Sequence, residues 1–137
     1  MIQSPHFLPG IILSTAIVSY SHATRLLLPR AYHHYRSAMQ HVDIQLTRKV
    51  AEGIIIPLGP ANLVAIKTDV GMIGCGAFDV SALDSFSYPA VKIRPSIGPS
   101  IFDTEDLLKG IVKEANRSAM GRGIKNGMTG RAALELL

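Results

Sequence analysis

From Met39 onward, hydrophobic and polar side chains follow a pattern that is typical of β-strands. Val42–Leu46 alternates between the two kinds of residue, as a strand with one buried face does. Gly53–Leu58 is a continuous apolar run that ends at Gly59–Pro60, a dipeptide that favours a turn. We therefore predict two strands in this part of the chain.

Three further segments have the composition of strands. Asn62–Thr68 and Met72–Ala77 are joined only by Asp69–Val70–Gly71, and Gly71 can adopt a positive φ. A tight hairpin is therefore predicted here. Ala90–Ile93 is another strand candidate, and the loop-like sequence RPSIGPS follows it.

The spacing of the apolar residues then becomes helical. Ser81 and Asp84 stand three residues apart, which predicts a capping box at the start of a short helix. Asp103 is the predicted N-cap of a longer helix, with Asp106 in its first turn. The apolar positions of that helix are Leu107, Leu108, Ile111, Val112, Ala115 and Ala119. Its predicted solvent-exposed side carries Lys109, Lys113, Glu114 and Arg117.

The long helix is expected to end at Gly121 or Gly123, and Thr129 is expected to cap a last helix that runs to Leu137. Strands come first and helices later, without sustained βαβ alternation, which predicts an α+β fold. We expect a mostly antiparallel or mixed sheet from the first half of the chain, packed by C-terminal helices.

The first 38 residues differ from the rest. The stretch LPGIILSTAIVSYSHA resembles the apolar part of a signal peptide, but no basic residue precedes it. Its uninterrupted apolar pieces are shorter than the roughly 20 residues that a membrane-spanning helix needs. Three interpretations stay open: an upstream extension of a protein that natively begins at Met39, a genuine but poorly ordered tail, and a signal or membrane-associated segment. We favour the first, with residues 39–137 as the domain.

Charge and aromatic content argue against a nucleic-acid partner. The net charge is +4, but residues 1–38 hold three arginines and no acidic residue, whereas residues 39–137 hold 11 basic and 10 acidic residues. The domain is therefore almost neutral and lacks the basic surface of a nucleic-acid binder. Tryptophan is absent and aromatic residues make up 6% of the chain, so base stacking is poorly supported.

The distribution of histidine and cysteine excludes several chemistries. All five histidines lie within the first 41 residues, so the rest of the domain has no Ser–His or Cys–His pair and no histidine for a zinc site. The single cysteine cannot form an internal disulfide, which fits a reducing cytoplasm. No metal site is expected.

That cysteine, Cys75, lies in the motif GMIGCGAFDV. Gly74 and Gly76 would allow a ligand to approach its thiol closely, and Asp79 would accept a proton or orient a substrate. These two side chains are the candidate catalytic pair. The structural alternative, which we favour, makes Cys75 a small buried hydrophobic residue and Asp79 a helix cap.

A second glycine-rich block, RGIKNGMTGRAA, is a candidate anion site. Gly127, Thr129, Gly130 and Arg131 precede or begin a helix, where free N–H groups and nearby cations suit a phosphate or carboxylate. In the structural alternative, which we again favour, these glycines end one helix and form a turn before the next.

Three segments together resemble the YunC-like family, a small bacterial and archaeal domain of unknown function. They are GMIGCGAFDV, EDLLKG and GIKNGMTGRAALELL, and the resemblance extends over about Val42 to Leu137. It implies a compact α+β fold but no activity, substrate or catalytic residue. Two departures are visible: Ala132 stands where an acidic residue often follows the arginine, and Phe102 and Asp103 replace an expected basic residue and threonine.

The leading functional prediction is a cytoplasmic domain that binds a small molecule, an anion or a protein partner, with no membrane partner and no identified cofactor. A thiol-dependent transferase or hydrolase that uses Cys75 with Asp79 is the first alternative. The second is a homo-oligomer in which Gly53–Leu58 pairs at a sheet edge.

Overall fold

The structure is a computed structural model that describes residues 38–137. The interpretations offered for the N-terminal segment concern residues outside this range. None of the helices in the described part of the chain is long and apolar enough to cross a membrane.

Six strands of the described range form one mixed sheet in which spatial order follows chain order. They are β1 (Gln40–Gln45), β2 (Val50–Pro57), β3 (Asn62–Lys67), β4 (Met72–Gly74), β5 (Ala90–Arg94) and β6 (Ile111–Ala115). All neighbouring strands are antiparallel except β4 and β5, which are parallel. The predicted strands are present, although the fourth is shorter than expected. Because β2 lies between β1 and β3, the predicted pairing of Gly53–Leu58 at a sheet edge is wrong.

Within residues 38–137, four short helices complete an α+β fold, as predicted. They are α1 (Val80–Asp84), α2 (Thr104–Lys109), α3 (Arg117–Met120) and α4 (Gly130–Glu135). Two predicted N-caps are confirmed: Asp103 Oδ1 accepts a hydrogen bond from Asp106 N at 2.8 Å, and Thr129 Oγ1 accepts one from Ala132 N at 3.1 Å.

The capping box predicted for α1 is wrong, because the helix begins two residues earlier. Asp79 is the N-cap, and its Oδ1 accepts a hydrogen bond from Ala82 N at 3.1 Å. Asp84 instead accepts hydrogen bonds from the backbone N–H and the hydroxyl of Ser118. These bonds hold the pKa of the Asp84 carboxyl below its ordinary value of 3.8 and link α1 to α3.

The predicted long helix is also wrong, since α2 ends at Lys109 and the chain then forms β6. Gly110 lies so close to β5 that a Cβ there would be 2.3 Å from Ile93 Cγ2. The residues after it pair with β5 through the antiparallel ladder. Ile111 and Val112 are β-branched, so the ladder overrides a helical spacing that they also fit.

The hairpin between β3 and β4 is confirmed, but Gly71 does not have a positive φ. The Thr68 hydroxyl accepts hydrogen bonds from Val70 N and Gly71 N, which fixes the turn. A Cβ on Gly71 would lie 2.3 Å from Pro89 O. The glycine is therefore required by close packing against the segment before β5.

The two faces of the sheet have different surroundings. The core face packs against α2 and α4, and its buried members include Ile44, Ile55, Val64, Ile66, Ile73, Val91, Ile93 and Val112. The opposite face, here called the open face, carries Ile54, Leu63, Ala65 and Lys67 from β2 and β3. Over β5 and β6, Ser81 of α1 donates a hydrogen bond to Glu114 on the open face.

One buried amide connects the segment between β4 and β5 with the end of β6. Asn116 Oδ1 accepts hydrogen bonds from Ala90 N and Ala119 N, and Nδ2 donates to Val80 O and Tyr88 O. The side chain is almost fully buried and makes all the hydrogen bonds that its geometry allows. It therefore ties the start of α1, the residues at the start of β5 and helix α3 to one another.

We predict that Asn116→Ala lowers the free energy of unfolding by about 3 kcal/mol, because it leaves several buried backbone groups without a partner. Asn126→Ala, at an exposed turn position, is the matched control and should change stability by less than about 0.5 kcal/mol. Urea denaturation followed by circular dichroism measures both. Equal stability of the two variants would refute this role of Asn116.

Candidate functional site

A cleft lies where the two parallel strands end. β4 and β5 run in the same direction, so the residues after Gly74 and Arg94 meet at one end of the sheet. The cleft has a volume of about 270 Å³ and is here called the Cys75 cleft. It is lined by Asn62, Cys75, Gly76, Ile93, Arg94, Pro95, Pro99, Ser100, Ile101 and Lys113. The carboxyl ends of parallel strands are where open α/β sheets bind ligands.

Cys75 has features of both interpretations made from the sequence. Its N–H donates to Val64 O at 3.0 Å, and it belongs to the hydrophobic core with only 7% of its surface exposed. It also borders the cleft. The thiol is therefore a packed core group with one side toward a ligand-sized space.

The two glycines beside Cys75 serve different purposes. A Cβ on Gly74 would lie 2.6 Å from Phe78 Cδ2, so this glycine allows the phenyl ring to lie on the sheet. A Cβ on Gly76 would meet nothing within 4 Å, and its φ is not positive. The fold does not need a glycine at position 76, and its missing side chain widens the Cys75 cleft.

A β-bulge places Lys113 in the cleft. Lys92 pairs with Glu114 but Ile93 pairs with Val112, so Lys113 is an extra residue in β6. Glu114 consequently faces Lys92 on the open face, where their side chains form a 3.5 Å ion pair. Bulges of this kind redirect side chains near binding sites.

Both charged residues in the lining of the cleft are basic. Among the described residues, neither Arg94 nor Lys113 forms an ion pair, and no acidic residue lines the cleft. Ser100 adds a hydroxyl. Asn62 Nδ2 donates to Phe102 O at 2.8 Å and so holds the loop that forms one wall. Two unpaired cations beside apolar walls suit a carboxylate or phosphate group.

Asp79 does not line the cleft. Its carboxylate accepts the hydrogen bond from Ala82 N that caps α1. The structure therefore brings Cys75 to a cleft together with Arg94 and Lys113, and it gives Asp79 the capping contact expected in the structural alternative.

The second glycine-rich block does not line the Cys75 cleft either. Gly127 has φ +91° in a turn, and Thr129 caps α4. Gly130 N donates to Gly110 O at 2.9 Å, and a Cβ on Gly130 would lie 2.1 Å from Leu107 O. Arg131 Nη1 lies 3.5 Å from Gln45 O. These contacts are those of chain turns and close packing.

The two cations of the cleft, Arg94 and Lys113, are not among the site residues predicted from the sequence. Lys113 was assigned to the solvent-exposed side of a long helix, and Arg94 to the start of a loop. One local signal was available: Gly110 followed by β-branched Ile111 and Val112 is unfavourable in a helix and favourable for a strand. Within residues 38–137, no group of three or more His, Cys, Asp or Glu is placed to hold a metal ion.

Comparison with known proteins gives a family match and a structural neighbour. Residues 74–137 match the family model described as "Domain of unknown function (DUF1805)". The match thus begins at the end of β4 and includes Cys75, Arg94 and Lys113. A crystal structure of a protein of unknown function from Thermoplasma acidophilum is similar, with 28% sequence identity and a TM-score of 0.63. The similarity covers 72% of this chain and 91% of that chain. No curated protein matches.

The different roles of the glycines can be tested by adding a methyl group. Gly130→Ala should destabilise the protein by about 1–3 kcal/mol, because the backbone of α2 has little room to move away. Gly76→Ala should be neutral or stabilising by up to about 1 kcal/mol. Thermal and urea denaturation measure both changes. A stable Gly130→Ala variant would contradict the packing role of Gly130.

Proposed function

We propose that the protein binds a small organic molecule bearing a carboxylate or phosphate group in the Cys75 cleft. The observation that carries this proposal is the β-bulge at Lys113, which lines the same cleft as Arg94, while no acidic residue of the described range lines it. Without the bulge, successive side chains of β6 would alternate regularly between the two faces of the sheet. The bulge instead concentrates positive charge at the ends of the parallel strands.

The walls of the cleft support an organic anion as the ligand. Ile93, Pro95, Pro99 and Ile101 supply apolar surface next to the cations. Small-molecule sites typically combine apolar walls with a few polar groups in roughly 300–1,000 Å³. The cleft lies just below this range, at about 270 Å³. A compact metabolite therefore fits better than a nucleic acid or a protein segment.

A thiol-dependent transferase or hydrolase is the second candidate. Its support is the position of Cys75 on the same cleft as the two cations, which would hold an anionic substrate beside the sulfur. Because the Asp79 carboxylate caps α1, this version of the proposal needs a proton acceptor from the substrate or from water.

We also propose the YunC-like assignment and a cytoplasmic location for the domain of residues 39–137. The α+β fold and the match over residues 74–137 support the first. The second rests on the single cysteine, which suits a reducing compartment.

Ligand binding should raise the melting temperature of the full-length protein. A panel of phosphate, sugar phosphates and dicarboxylates would be screened, since a ligand at 100 times its dissociation constant adds about 2.7 kcal/mol of stability. Arg94→Gln and Lys113→Gln should each weaken binding of the selected anion about tenfold, because each removes a charge-assisted contact. Isothermal titration calorimetry measures the affinities.

Arg131→Gln and Lys125→Gln are the matched controls, because they remove equal charge from the second glycine-rich block. They should leave the affinity within about twofold, apart from weak long-range screening effects. A greater loss of affinity in these controls than in the cleft variants would indicate that the anion binds at the second glycine-rich block. If no anion in the panel raised the melting temperature, the proposal would be rejected.

A further inference from the structure

A second ligand-sized space lies on the open face of the sheet. It is a groove of about 210 Å³, here called the apolar groove. Its lining comprises Ile54, Ile56, Leu63, Ala65, Lys67, Met72, Phe78 and Tyr88. It shares no residue with the Cys75 cleft. The strand alternation that buries Ile55, Val64 and Ile66 turns the floor of this groove toward solvent.

The groove has a wall as well as a floor. Gly74 has no side chain, so the Phe78 ring packs directly over this part of the sheet. Met72, at the start of β4, and Tyr88, just before β5, also line the groove. The apolar floor of β2 and β3 is therefore bounded by the segment that joins β4 to β5.

The polar groups of the groove are Lys67 and Tyr88. Burial raises the pKa of the Tyr88 phenol, and the charge of Lys67 acts in the opposite direction, so the two groups lie within each other's electrostatic field. The phenol is therefore a neutral hydrogen-bond donor at pH 7, and Tyr88 lines the same groove as Lys67. An otherwise apolar groove thus carries two donors and no acidic residue in its lining.

Lys67 is available to a ligand. Its Nζ lies 3.1 Å from Glu52 Oε2, but the Lys67 side chain is 52% exposed and that of Glu52 is 38% exposed. Ion pairs at the surface contribute about 0–1 kcal/mol. Glu52 Oε1 also lies 2.6 Å from His41 Nδ1, so the carboxylate keeps a partner if Lys67 turns away. An incoming carboxylate would then replace Glu52 as the partner of Lys67.

We infer that the apolar groove binds a short amphiphilic carboxylate, with its hydrocarbon part on the floor and its carboxylate at Lys67 and Tyr88. Because Lys67 is cationic and no acidic residue among those the structure describes lines the groove, a monocarboxylate is favoured over a neutral hydrocarbon. The volume is below the roughly 300–1,000 Å³ of sites for drug-sized ligands, which favours a short chain. This site lies apart from the Cys75 cleft, so either proposal can fail alone.

The test is a titration of the full-length protein with octanoate and with octanol, followed by NMR of ¹³C-labelled methionine methyl groups. Met72 reports on the groove, and Met120 and Met128 serve as internal controls outside its lining. We expect the Met72 signal to move and saturate with octanoate. Ala65→Leu, which fills the floor, should weaken this binding at least tenfold.

Lys67→Met separates the contribution of the ligand's carboxylate to binding from that of its hydrocarbon chain. It should weaken octanoate binding about tenfold and leave octanol binding within twofold, whereas Lys113→Gln should change neither. Lys67 is exposed, so this variant keeps the test decisive even if Ala65→Leu is poorly folded. The inference is overturned if Met72 does not saturate, if Lys67→Met affects both ligands equally, or if dilution alone moves the Met72 signal, which would indicate a second copy of the chain in the groove.

Discussion

The buried amide of Asn116 is the interaction on which the arrangement of this domain depends. It binds backbone groups at Val80, Tyr88 and Ala90, so it holds the connection between β4 and β5 at its middle and its end. A parallel pair needs a crossover connection, and this one is short, with a single small helix. The hydrogen bonds of the amide tie this short connection to β5 and to the start of α3. β5 can then return beside β4, and the ends of both strands meet.

The two sites follow from that parallel pair. At the carboxyl ends of the strands, the chain leaves the sheet at Gly76 and Pro95, and the space between the two exits is the Cys75 cleft. On the open face, the same connection supplies Phe78 and Tyr88 as one side of the apolar groove. One crossover connection thus contributes to both sites: a cleft whose charged residues are Arg94 and Lys113, and a mostly apolar groove whose charged residue is Lys67.

The sequence is informative where local contacts decide the structure. The first strands, the hairpin and the caps Asp103 and Thr129 depend on neighbours in the chain, and each was predictable. The β6 strand was not predicted, because Ile111 and Val112 also fit a helical period. The local preference of Gly110, Ile111 and Val112 for a strand is weak, and the ladder with the distant β5 decides the outcome. Cys75 was identified by its flanking glycines. Lys113 was missed because its orientation depends on a bulge, which is a property of the ladder with β5.

Cys75, Arg94 and Lys113 line one cleft, and alkylation of the only cysteine tests this arrangement most directly. Iodoacetate and iodoacetamide react with a thiol by the same displacement of iodide, but only the first carries a negative charge. We expect the native protein to favour iodoacetate over iodoacetamide more than the urea-unfolded protein does, and Lys113→Gln to remove most of that preference. Equal rate ratios in native and unfolded protein, or no reaction before unfolding, would contradict the account.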